Sequence, residues 1–137
     1  GRWETMTFIA ALRHDRITAP LLLDGPMNGQ SFRAYVEQML APTLKPGDSV
    51  VMDNVRMHKV PGVREAIEAR GASVPPFPPY SPDLNPIELA YAKFKAFLRA
   101  AGGRSTRHLR TIVRSSLTRF SPQECANYFA RAGYRAT

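Results

Sequence analysis

Pro75-Pro76-Phe77-Pro78-Pro79-Tyr80-Ser81-Pro82-Asp83-Leu84-Asn85-Pro86-Ile87-Glu88 is the stretch on which the fold turns. Six prolines stand between Pro75 and Pro86. Each fixes its own φ, removes a backbone donor and pushes the residue before it towards extended geometry, so the segment reads as a rigid, extended loop. Ahead of it, short apolar runs alternate with helical patterns. Behind it, the pattern is helical to the end. That order predicts an α/β protein, a mixed sheet with flanking helices and a C-terminal helical layer.

Upstream, Met6–Leu12 and Ile17–Leu23 read as two strands of a hairpin joined by the polar turn Arg13–Arg16. Pro20 cannot donate to a ladder, which suggests an edge strand. After the loop Gly25–Gly29, the residues Phe32, Tyr35, Val36, Met39 and Leu40 recur at helical spacing, with Pro42 and the turn Lys45–Asp48 as the stop. Ser49–Met52 is an apolar strand ending at Asp53. Val63, Ala66 and Ile67 suggest a short helix stopped at Gly71, and Ala72–Val74 a brief strand. Downstream, one helix runs from Pro86 to about Ala100. A second uses Leu109, Ile112, Val113 and Leu117. A third starts at Ser121-Pro122 with Glu124 as its capping-box partner.

The chain has 137 residues, enough for one domain with a core, and 44% hydrophobic content suits a globular protein. No apolar run approaches the roughly 20 residues that span a bilayer, so no membrane partner is expected; no feature of the sequence points to a small-molecule substrate either. Gly1-Arg2-Trp3-Glu4 does not lead into a signal-peptide core. Cys125 is the only cysteine; it excludes an internal disulfide, suits a reducing, cytoplasmic setting and falls in an apolar helical pattern as core filler. The net charge of +8 is unevenly spread. Residues 1–92 hold 9 Lys/Arg against 10 Asp/Glu, whereas residues 93–137 hold 10 Lys/Arg against a single acid, Glu124, and so net +9. A basic half beside a neutral half points to a polyanion, with nucleic acid first.

Two carboxylates stand out. Asp53 ends a strand, where open α/β sheets place ligand-binding groups and where a hard cation could be held; it could equally cap the helix that follows. Glu88 completes a capping box with Asn85 and Pro86, which explains it without any chemistry. It also heads a stripe of Glu88, Ala92, Lys95 and Arg99, while Ile87, Tyr91, Phe94 and Leu98 form the apolar stripe. An acid followed by bases one and two turns on suits a metal ligand beside a phosphate track. Arg107, Arg110 and Arg114 share a face of the next helix. With Lys93, Lys95 and Arg99 they are the candidate DNA contacts, although a solvated face explains any single one of them. His14 and His108 read as surface residues.

The pattern Val51-Met52-Asp53-Asn54, His58-Lys59, Pro78-Pro79-Tyr80-Ser81-Pro82-Asp83-Leu84-Asn85-Pro86-Ile87-Glu88 and Lys95 resembles bacterial insertion-sequence transposases of the mariner-like DDE superfamily. The 34 residues between Asp53 and Glu88 fit the spacing of that group. The resemblance implies a ribonuclease-H-like fold. It implies that Asp53 and Glu88 are the second and third carboxylates of a site for two Mg²⁺ or Mn²⁺ ions that cuts and joins DNA. It makes Asn54, His58 and Asn85 supporting positions around them. It also implies DNA as partner, a dimer as an assembly such enzymes often form, and a nucleoid-associated location in a bacterial cytoplasm.

One departure is expected. The group's first aspartate lies on a first strand that should precede Trp3, and Asp15 and Asp24 are not placed to replace it. Residues 1–137 are therefore read as a partial catalytic domain without that strand or the upstream DNA-binding helices. Such a fragment is expected to be of weak stability and inactive, or to bind DNA without cutting it, as a regulator or a remnant.

Overall fold

The computed structural model describes residues 6–52, 59–75, 86–102 and 105–131. They fall into two compact units. The first joins residues 1–26 to residues 81–137, and the second is residues 27–80.

In the first unit, β1 (Met6–Leu12) and β2 (Ile17–Asp24) form the expected hairpin. They pair antiparallel from Met6 with Asp24 to Leu12 with Ile17. Arg13 N–H donates to the Arg16 carbonyl at 2.8 Å across the turn. The register slips between Ile9 and Ala11, whose partners are Leu21 and Thr18, so β2 carries one residue more than β1 there. That bulge holds Pro20, which has no N–H for a regular ladder, and Ala19, whose φ is +52°. It also shifts the side-chain phase: Ile17 and Ala19 are buried before it, and Leu22 rather than Leu21 after it. Both strands are edges of this two-strand sheet, so Pro20 lies on an edge as expected, and the bulge is the local form its missing N–H takes.

Three helices complete this unit: α3 (Pro86–Ala101) packs on β1, α4 (Thr106–Ser116) on β2, and α5 (Pro122–Arg131) on α3. Pro86 starts α3, where its fixed φ suits the first helical position. Gly102, with φ +68°, ends it, and its N–H donates to Arg99 O at 3.1 Å. Ala90, Phe94 and Leu98 are the buried row of α3, with Ile87 and Tyr91 half-buried at its flank. The apolar stripe is therefore rotated slightly from the expected one. Phe94 lies between Phe8 and Phe120, with ring centroids at 4.5 and 4.7 Å, and these aromatics join Leu109, Val113, Cys125 and Tyr128 in one core. Cys125 is the core filler expected of it, and burial pushes its thiol pKa up, with the nearby Glu124 and Asp15 charges adding to the rise. Leu117 falls in a 3₁₀ turn, Leu117–Arg119, that closes α4.

Ser121 caps the start of α5: its Oγ accepts from Glu124 N–H at 3.0 Å, one half of the expected capping box.

In the second unit, α1 (Gly29–Tyr35) is capped by Asn28, whose Oδ1 accepts from Ser31 N–H at 2.8 Å. The chain continues as a π turn, Val36–Leu40, and a 3₁₀ turn, Ala41–Thr43. Pro42 supplies the reason: it offers no N–H and its ring crowds the preceding turn, so the regular ladder cannot run through it. The single helix expected over Phe32–Leu40 is thus a composite. Downstream, α2 (Val63–Glu68) starts at Gly62, whose φ of +89° lies in the left-handed region that favours glycine. The strands expected at Ser49–Met52 and Ala72–Val74 are reduced to one parallel bridge, Ser49 with Ser73. Val50 N–H donates to Ser73 O and Ser73 N–H to Asp48 O, both at 2.8 Å. Parallel pairing needs a crossover, and α2 lies between the two partners in sequence. The two-strand sheet, the bridge and the helices make a mixed α/β protein compatible with part of a ribonuclease-H-like fold.

Candidate functional site

Glu88 lies in the first turn of α3, exposed, where the positive end of the helix dipole favours a carboxylate. Ala92, Lys95 and Arg99 are exposed with it. The stripe rises about 16 Å from Glu88 to Arg99 at 1.5 Å per residue. Among the described residues, the Glu88 carboxylate has no hydrogen bond or ion pair. A carboxylate with free lone pairs is the donor type that a hard divalent cation takes. No three His, Cys, Asp or Glu side chains gather among the described residues. Asp53, Asn54, His58 and Asn85 lie outside the described residues.

Lys93 sits on the other flank of α3, half-buried. Its Nζ donates to both Glu124 carboxylate oxygens, at 2.8 and 3.0 Å, and to the Arg119 carbonyl at 2.5 Å. It also lies 4.6 Å from the centroid of the Phe120 ring. Tyr128 OH donates to the same carboxylate. Burial pushes the Glu124 carboxyl pKa up, but the hydrogen bonds from Lys93 and Tyr128, the Lys93 charge and the Ser121 N–H outweigh it and hold the pKa below its ordinary value. Burial and the adjacent Glu124 push the Tyr128 phenol far above its usual range. This cluster ties α3 to α5. Its one sequence signal is that Glu124 is the lone acid among residues 93–137.

On α4, Leu109 and Val113 face the core while Arg107, Arg110 and Arg114 are exposed on another side. Arg110 reaches β2, where its Nε and one terminal nitrogen donate to the Leu22 carbonyl, each at 3.3 Å. Of the two histidines, His14 is exposed and His108 half-buried. No helix among the described residues is long and apolar enough to cross a membrane.

No curated protein matches the chain. The family model described as DDE superfamily endonuclease matches residues 1–112, a stretch that takes in the hairpin, Asp53, Glu88, the whole of α3 and the first part of α4. With most of its length matched, the chain belongs to the DDE superfamily endonuclease family.

Proposed function

We propose that this chain is the catalytic part of an insertion-sequence transposase of the mariner-like kind, which cuts DNA phosphodiester bonds and transfers the resulting strands. Membership of the DDE endonuclease family makes it a nuclease- or transposase-type domain that acts on DNA with divalent cations. The observation that carries the finer reading is the Glu88 carboxylate, exposed and unpaired among the described residues, at the start of a helix whose same face bears Lys95 and Arg99.

In this reading Asp53 and Glu88 hold Mg²⁺ or Mn²⁺. Bound there, the cations supply activation of a water or 3′-hydroxyl nucleophile and stabilisation of the leaving oxygen. Glu88 is held on a rigid helix, so its oxygen donors keep one position. Lys95 and Arg99 hold phosphates flanking the scissile bond, Arg with the bidentate geometry that phosphate favours. Asn54, His58 and Asn85 orient the two carboxylates or touch DNA beside them. A dimer and a nucleoid-associated location belong to the same reading.

The test combines Mn²⁺ binding, followed by electron paramagnetic resonance, with nicking of supercoiled plasmid. Glu88→Gln and Asp53→Asn each weaken Mn²⁺ binding. In a protein that carries all three carboxylates, each also lowers nicking by at least about two orders of magnitude, the scale on which removing one preorganised charge-stabilising group acts. Mn²⁺ binding that is indifferent to both changes sinks the reading. A second reading, DNA binding without cutting, is favoured by the +9 charge of residues 93–137. It stands if the chain shifts DNA but neither holds Mn²⁺ nor nicks.

A further inference from the structure

The helix α4 carries Arg107, Arg110 and Arg114 and not one acidic residue. Arg107 and Arg110 are three residues apart, Arg110 and Arg114 four, so each guanidinium has a like charge as its helical neighbour, which is unfavourable in an isolated helix. Arg107 lies in the first turn, where the dipole end is positive and repels a cation. The one acid of residues 93–137, Glu124, is already committed to Lys93 and Tyr128 on α5. The row is therefore a self-repelling cationic face that nothing on its own helix neutralises.

Its geometry suits phosphate. From Arg107 to Arg114 the helix rises about 10 Å. Phosphates along one strand of duplex DNA recur about every 3.4 Å of axis, so three long side chains can each reach one. Arg110 spends two N–H groups on the Leu22 carbonyl and keeps three for a ligand. It is thus pre-ordered, and binding immobilises it less. The first turn of α4 also offers backbone N–H groups to an anion near Arg107. The family match ends at residue 112, so the row, completed by Arg114, extends past the stretch this chain shares with the family.

We infer that the outer face of α4 is a metal-independent clamp for the backbone of duplex DNA, with Arg107, Arg110 and Arg114 on successive phosphates. It is separate from the α3 face that carries Glu88. The inference rests on the reading of the chain as DNA-directed for the identity of the polyanion, and it adds where affinity resides.

The experiment is fluorescence anisotropy of the whole chain with a 25-base-pair duplex of mixed sequence, in EDTA, across a salt series. Neutralising Arg107 and Arg114 together, with Gln, flattens the slope of log affinity against log salt by about 2, roughly one per lost phosphate contact. The pair Arg107→Lys and Arg114→Lys keeps the slope, which separates lost charge from lost folding. A slope unchanged by the Gln pair overturns the inference, and so does a slope lost equally in the Lys pair. Tighter binding to single-stranded DNA or RNA than to the duplex, through the same arginines, overturns the duplex assignment. Because no divalent ion is present, a chain that fails to nick yet loses slope in the Gln pair refutes the catalytic reading alone. One that nicks normally with unchanged slope refutes the clamp alone.

Discussion

Lys93 and Lys95 stand two residues apart on one helix and meet opposite fates. Lys93 is half-buried with its ammonium on three oxygens of Glu124 and Arg119, whereas Lys95 is exposed on the face headed by Glu88. The outer face of α4 carries the contrast further, because three arginines lie there with no acid on their helix. The +9 charge of residues 93–137 is thus two things. One cation is consumed inside the domain and stabilises it. Lys95 and the α4 arginines are exposed, and Arg107, Arg110 and Arg114, set along one helix, oppose each other. Total charge points to a polyanionic partner, but only the pairing tells which cations are available to meet it.

The largest effect that can probe this contrast lies in the core behind both lysines. Phe94 is 1% exposed, stacked on Phe120 and tilted against Phe8. Phe94→Ala removes that ring and leaves a cavity, and should lower unfolding free energy by about 3–5 kcal/mol in urea titration. A loss below about 1 kcal/mol would mean that α3 is not held by this core, and that the inner and outer flanks of the helix do not differ as described.

The lysines themselves come next. Lys93→Ala strands a half-buried carboxylate and should lower stability by about 1–2 kcal/mol; Lys95→Ala, on the surface, should change it by no more than about 0.5 kcal/mol. Equal effects would break the comparison. The pH profile sharpens it. The Glu124 carboxyl pKa is lowered in the folded state, so its contribution is fully present above the ordinary carboxylate pKa of about 4 and is lost as pH falls through the folded value. Tyr128 is raised, so its contribution is present below about pH 10 and is lost as pH climbs above that. Lys93→Ala should shrink the acid-side loss, while Lys95→Ala should leave both limbs of the profile in place.

Much of the fold was legible because it obeys a period. The hairpin follows two apolar runs around a polar turn. The three late helices follow apolar spacing and their caps, down to the Ser121 Oγ that accepts from Glu124 N–H. The exposed row Glu88, Ala92, Lys95 and Arg99 follows from helical geometry alone. What escaped was set by single atoms or distant partners. Pro20 signalled an irregularity, but not that Ala19 would take φ +52° to make it. Pro42 signalled a stop, not the π turn that precedes it. Ser49 and Ser73 pair in parallel, but the ladder is one bridge long, a matter of local geometry that apolar composition does not encode. Lys93 depends on Glu124, 31 residues away, and no helical period reaches that far. For the candidate site, the residue types and the spacing of Asp53 and Glu88 were legible, whereas a pairing across the proline loop is a tertiary property that spacing alone does not supply.

The smallest effect discriminates most finely between charge that stabilises and charge that waits for a ligand. Arg107 and Arg114 are alike in exposure and in row, but they sit at opposite ends of α4. Arg107, in the first turn, faces the positive end of the dipole and repels Arg110. Arg114, in the last turn, is favoured by the negative end, which offsets its own repulsion with Arg110. Arg107→Gln should therefore raise stability of the DNA-free chain at low salt by about 0.5–1 kcal/mol, whereas Arg114→Gln should leave it nearly unchanged. The gain should vanish near 1 M salt, where screening acts within about 3 Å. A thermal melt of the two variants at low and high salt reads this directly. If both raise the melting temperature equally, mutual repulsion dominates and the dipole is negligible. If Arg107→Gln lowers it at low salt, Arg107 is held by the fold rather than spare, and the outer face of α4 belongs with Lys93 on the stabilising side of the comparison.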